Sequence, residues 1–195
     1  VHDRPVADIT ALILDEHEWF RRQFAALDDL QGEEPLDLEA VRGVWQPLAD
    51  KLDVHAIAEE RIFYPQLLRF GADPEDETLD AIGDHNDIRD GVRDANQLPV
   101  GTVEWWDAVG RARKANDEHM GEEEREGLSD FRQNAPSGLR DALGTQFAEF
   151  LDTHRTTAGL DTSDKDPEGY VRAVERDITA TSGDGTLGIG SLRKA

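Results

Sequence analysis

The chain has 195 residues, with 43 acidic against 21 basic side chains, a formal net charge of −22 and no cysteine. Nucleic acid and anionic membranes repel such a surface, and the lack of thiols rules out disulfides, thiolate metal sites and thiol catalysis. No apolar run approaches the roughly 20 residues of a membrane span. Val1 to Pro5 enters a helical pattern without an apolar leader, so a cytoplasmic protein with a solvated acidic exterior is expected. High-salt adaptation or a basic protein partner are the other uses of such a charge, and no particular protein partner is indicated.

The first helix is expected from about Asp8 to Leu30. Ile9, Ile13, His17, Phe20, Phe24 and Leu27 step by four and three along one stripe, the spacing of one helical face. His17 is its only strongly polar member. The second helix is expected from Asp37, a plausible N-cap, to about Phe70. Its stripe is Val41, Trp45, Leu48, Leu52, His55, Glu59, Phe63 and Leu67. Pro47 is expected to split off its first turns, and Pro65 to kink or end its last ones.

Asp73-Pro74 restarts the chain, with Asp73 as expected N-cap. The third helix, Pro74 to Gln97, carries Leu79, Ile82, His85, Ile88 and Val92. Thr102 caps a fourth helix reaching about Gln133, with Val103, Trp106, Val109, Ala112, Asn116, His119 and Glu123 on one face. The adjacent Trp105-Trp106 pair reads as core and helix-start packing. A fifth helix is expected from Ser137 to His154. No segment shows sustained strand alternation, and the short connections favour antiparallel neighbours. The expected fold is therefore all-α: an up-down-up-down four-helix bundle with an additional C-terminal helix, spanning residues 1–155. Residues 156–195 are rich in Gly, Asp and Thr and read as an irregular tail, extended over the bundle or partly disordered. Its one amphipathic patch is Tyr170, Val171, Val174 and Ile178. Gly183 to Gly188 matches G-x-G-x-x-G, but without a strand before it and a helix after it the match carries no dinucleotide site.

The polar members of the stripes repeat. His17, then His55-x-x-x-Glu59, occupies the first helix pair; His85, then His119-x-x-x-Glu123, occupies the second. The two histidines of a pair lie 38 residues apart in the first half and 34 in the second. Residues four apart share a helix face, so each His-x-x-x-Glu can reach one metal. A lone histidine on an apolar stripe is ordinarily a core residue with its bonds satisfied. Four of them on four helices, with two carboxylates, would bury charges at several kcal/mol each unless a shared cation joins them. Six such ligands are too many for one tetrahedral zinc and too rich in nitrogen for calcium or magnesium. Two iron ions, each with two histidines and sharing two carboxylates, use all six; manganese or zinc could fill the same cage.

The pattern His17…His55-x-x-x-Glu59…His85…His119-x-x-x-Glu123 resembles the hemerythrin-like, or HHE cation-binding, domain over roughly residues 8–155. The resemblance implies a four-helix bundle around a non-haem, oxo- or hydroxo-bridged di-iron centre that meets O2, peroxide or NO. It implies that Glu59 and Glu123 bridge the irons and that the four histidines are terminal ligands. Two departures place the chain in a histidine-poor branch. Arg89 stands one turn after His85, where oxygen-carrying hemerythrins have a further histidine. Glu123, four residues after His119, stands for their aspartate at five. A missing terminal ligand leaves coordination open, which favours redox chemistry, sensing or iron storage over clean O2 carriage. An oxidoreductase consuming peroxide or NO is one reading; an O2 or iron sensing or storage module acting through conformational change is another. A bundle whose metal only stabilises the fold is a third. Phe20, Phe24, Phe63 and Met120 are expected to form a dry wall controlling access. Tyr64 is expected in the core or at the rim. Glu60 and Glu122 point about 100° away from the ligand face, and His154 and His2 fall outside the repeat.

Overall fold

The computed structural model describes residues 8–183. His2, and all but the first residue of the Gly183 motif, lie outside them. The described chain is all-helical: α1 (Ile9–Gln31), α2 (Leu38–Ala58), a π-helical turn (Glu59–Phe63), α3 (Tyr64–Phe70), α4 (Pro74–Gln97), α5 (Val103–Arg125), α6 (Gly127–Asn134), α7 (Ser137–Thr153) and α8 (Pro167–Gly183). Four rods form the bundle: α1, α2 continued through the π-turn into α3, α4, and α5 with α6. α7 packs on α1 and α2, and α8 packs on α3 and α4. Among the described residues no helix is long and apolar enough to cross a membrane.

Local chemistry sets the helix starts. Asp8 accepts the Thr10 N–H at 2.9 Å, Asp37 accepts those of Glu39 and Ala40, and Thr102 accepts that of Trp105, each satisfying an orphan donor of a first turn. Asp73 precedes α4 as expected, but its side chain makes no capping bond. Three acids in the first turn, Glu75, Asp76 and Glu77, complement the helix dipole there instead.

The prolines behave differently from the expected breaks. α2 runs unbroken through Pro47. That residue is exposed, so water can serve the carbonyl its missing N–H abandons, while buried Trp45, Leu48 and Leu52 hold both sides. Pro65 produces a π-turn rather than a kink. The Tyr64 N–H reaches back five residues to the Glu59 carbonyl, widening the turn where the proline ring would meet the preceding coil. The fourth expected helix breaks at Glu126, and α6 restarts at Gly127.

The expected irregular tail is corrected over residues 167–183, which form α8. Its amphipathic patch finds a partner surface: Val171 is buried, and the Tyr170 hydroxyl donates to the Glu60 carbonyl at 2.6 Å. That carbonyl is free because Tyr64 N–H has moved to Glu59 and Pro65 has no N–H. The preceding irregular segment is pinned by two bonds between Asn86 and the Lys165 backbone, at 2.8 and 2.9 Å.

Two apolar clusters fill the bundle. One gathers Phe20, Phe24, Leu52, Ile88, Trp105 and Met120; the other gathers Ile13, Ala58, Phe63, Ile82, Leu128 and Phe131. Trp45 and Trp105 meet edge to face within the first, at 5.6 Å between ring centres. Three bundle helices cross from one cluster to the other through their histidines: Ile13, His17, Phe20 on α1; Leu52, His55, Ala58 on α2; Ile82, His85, Ile88 on α4; the fourth rod crosses at Glu123, between Met120 and Leu128. The polar residues thus form a layer between two dry regions. Gly91 helps set the layer's width. A Cβ there would meet the Ala112 backbone at 2.6 Å, so glycine permits the close approach of α4 and α5 that brings His85 to His119.

Candidate metal centre

All six expected ligands lie together and are buried: His17, His55, Glu59, His85, His119 and Glu123 are each at most 5% exposed. Their donor atoms form two groups that share one residue. His17, His55 and Glu59 present atoms within 4.8 Å of one another, and so do Glu59, His85 and His119. In the first group His55 Nε2 lies 2.9 Å from Glu59 Oε1. In the second, His85 Nε2 lies 3.3 Å from Glu59 Oε2 and 3.2 Å from His119 Nε2. Glu123 joins from α5 with Oε2 3.3 Å from His17 Nε2, while its Oε1 accepts the Tyr64 hydroxyl at 2.9 Å.

The donor set fits a cation. His17 Nε2, His55 Nε2, both Glu59 oxygens and Glu123 Oε2 are buried and make no hydrogen bond. These nitrogen and oxygen atoms approach one another closely without forming aligned hydrogen bonds. Leaving that many polar atoms unserved in a core is costly, and a coordinated metal removes the cost.

The outward ring nitrogens are braced, and the braces repeat. His17 Nδ1 lies 2.9 Å from Glu124 Oε1, to which Arg21 donates at 2.7 Å. His85 Nδ1 lies 3.1 Å from Glu60 Oε1, to which Arg89 donates at 2.7 Å. Each carboxylate follows a ligand glutamate, and each arginine lies four residues after the braced histidine. Arg89 is therefore the counterpart of Arg21, a buried cation anchoring a brace. Lys165 adds a second cation to Glu60, at 2.9 Å. On α5, His119 Nδ1 lies 3.6 Å from Asp84. Such outer partners fix the tautomer and orientation of a ligating imidazole.

Glu60, left between the ligand neighbourhood and solvent by helical rotation, is thus a buried brace, whereas Glu122 is exposed. Glu124, Arg21 and Asp84 were not singled out by spacing. The doublets Glu59-Glu60 and Glu123-Glu124, with His17-x-x-x-Arg21 and His85-x-x-x-Arg89, carry that signal as a second repeat inside the first. Among the expected wall residues, the Phe20 ring sits 5.1 Å from the His55 ring, and Phe147 of α7 sits 6.0 Å away on the same imidazole. Phe63 packs on Tyr64 and Phe131. Phe24 lies a turn beyond Phe20 under the Arg113 guanidinium, and Met120 takes the Asn116 amide on its sulfur. His154 stacks on Phe150 at the end of α7, apart from the centre.

Electrostatics in the metal-free chain follow from these contacts. Burial alone would lower the imidazoles of His17 and His85, but the carboxylates of Glu123 and Glu124 beside the one, and of Glu59 and Glu60 beside the other, raise both from 6.5 to about 9. Burial opposes ionisation of Glu59, yet His55 and His85 beside it hold its carboxyl well below the usual range. The folded value of each raised imidazole exceeds its unfolded one, so its stabilising contribution is complete below 6.5 and is lost as pH rises through about 9. That contribution is on the order of 3 kcal/mol per imidazole. Unfolding free energy of the metal-free chain is expected to fall between about pH 6.5 and 9.5, and metal binding at about pH 7 to release about two protons. A flat stability profile with no proton release contradicts this assignment.

A family model described as the hemerythrin HHE cation binding domain matches residues 8–131. No curated protein and no solved structure matches the chain.

Proposed function

The chain belongs to the hemerythrin HHE cation binding domain family, and from that premise we propose that it holds two iron ions and uses them on O2, peroxide or NO. His17 and His55 would hold one iron and His85 and His119 the other, with Glu59 between them and Glu123 adding Oε2. The observation that carries this is the membership of Glu59 in both donor groups with both oxygens unpartnered. Iron supplies the redox electrons when bound.

The chain's own residues do the rest. Glu60 and Glu124 orient two of the imidazoles, and Asp84 lies 3.6 Å from a third. Tyr64 donates its proton to a hydrogen bond with Glu123 Oε1, leaving Oε2 for the metal. Phe20 and Phe147 shield the His55 edge from water. Arg89 anchors a brace and offers no neutral nitrogen ligand, so a coordination position would be left for a small molecule. Its absence of thiols suits a reducing cytoplasm. Rapid mixing of the iron-loaded protein with hydrogen peroxide is expected to show consumption over repeated additions. A stable, reversible oxygenated spectrum without peroxide consumption counts against the redox reading.

Sensing is the second reading, favoured by the contact of Lys165 and Tyr170 with Glu60, which joins α8 to the His85 brace. It predicts that protease cleavage within residues 156–166 changes when iron is loaded and oxidised. An unchanged cleavage rate removes its support.

A further inference from the structure

A small cavity of about 30 Å3 reaches the centre from the side of α4 and the α5–α6 junction. Exposure falls along its wall: Asp80 and Glu126 are exposed, Glu77 is half-buried, and His119 and Glu123 are buried at its inner end. Asp84 and Glu122 complete the ring of carboxylates, and no lysine or arginine lines the cavity. This differs from the braces, where Glu60 has Arg89 and Lys165 and Glu124 has Arg21. Glu77 Oε2 is buried without a hydrogen-bond donor, and at the inner end so is Oε2 of Glu123, a residue only 5% exposed. Crowded negative charge in a low-dielectric cleft concentrates cations. The space is about that of one water molecule, so an entering ion must exchange most of its hydration for carboxylate oxygens.

We propose that this acidic cavity is the docking site and entry route by which a divalent cation reaches His119 and Glu123. The proposal rests on the metal-centre reading above. Glu77, Asp80 and Glu126 capture the ion at the rim, and Glu123 Oε2 receives it from them. Gly127 keeps the passage open: a Cβ there would lie 3.3 Å from Glu77 Oε2 and 3.7 Å from Glu123 Cγ.

The test is the rate at which the full metal-free chain takes up cobalt(II), followed by its visible absorption after rapid mixing. The triple variant Glu77→Gln, Asp80→Asn, Glu126→Gln is expected to load at least about tenfold more slowly, with the number of ions bound at equilibrium unchanged. A control variant, Glu33→Gln, Glu34→Gln, Glu104→Gln, removes the same charge at the opposite end of the bundle and should change the rate by less than about twofold. Gly127→Leu, which narrows the passage without changing charge, should slow uptake as well. Uptake by the cavity triple at the rate of the control triple overturns the proposal even if Gly127→Leu fails to fold. A wild-type chain that binds no cobalt at all overturns the metal-centre reading, and the entry route with it.

Discussion

Glu59→Ala is expected to abolish tight loading of two metals, because it removes the one carboxylate common to both donor groups. No neighbour can replace it. Glu60 is one residue on but is engaged with His85, Arg89 and Lys165. Glu123 has one oxygen committed to Tyr64. Loss of an outer partner of a ligand lowers affinity about 10–100-fold, so loss of a shared ligand should exceed about 100-fold. Glu59→Gln separates charge from shape: it keeps the side-chain volume between His55 and His85 but supplies no anion, and should load as poorly as the alanine variant. Metal counting after passage over a desalting column reads the outcome. Two ions retained per chain by either variant would contradict the shared position.

Removing the two braces should have unequal effects on stability and similar effects on affinity. Glu60 and Arg89 are both 2% exposed at their side chains. Glu60→Ala strands Arg89 in the core, and breaking a buried pair this way costs about 3–5 kcal/mol. Glu124 is paired with Arg21, whose side chain is 37% exposed; water can take over that guanidinium, so Glu124→Ala should cost less than Glu60→Ala. In both variants a histidine loses the partner at Nδ1, and metal affinity should fall about 10–100-fold. Urea unfolding of the metal-free variants and competition with a chelator measure the two quantities separately. Equal stabilities would show that the Glu60 brace is as solvated as its counterpart.

The six central residues could be read from sequence because helical spacing alone places them. A polar residue replacing an apolar one on a stripe is visible wherever its helix happens to sit. The braces are different. Glu60 and Glu124 lie off the ligand face of their own helices and act on histidines of α4 and α1, so their role depends on how the rods face one another. Arg89 illustrates the same limit. Its position marked a missing ligand, but its partner Glu60 lies 29 residues away in the chain. The π-turn was hidden for another reason. Pro65 announces a disturbance, but its form is fixed by what serves the abandoned Glu60 carbonyl, and that is Tyr170, 110 residues distant. α8 escaped notice on the same account. Its patch of Tyr170, Val171, Val174 and Ile178 is weak in isolation, and short helices gain most of their stability from tertiary packing.

The most direct measurement is anaerobic titration of the metal-free chain with ferrous iron, followed by metal analysis and absorption spectra before and after admission of air. Two irons per chain and near-ultraviolet charge-transfer bands that develop with air are expected. One iron per chain, or none, would contradict the two-iron centre.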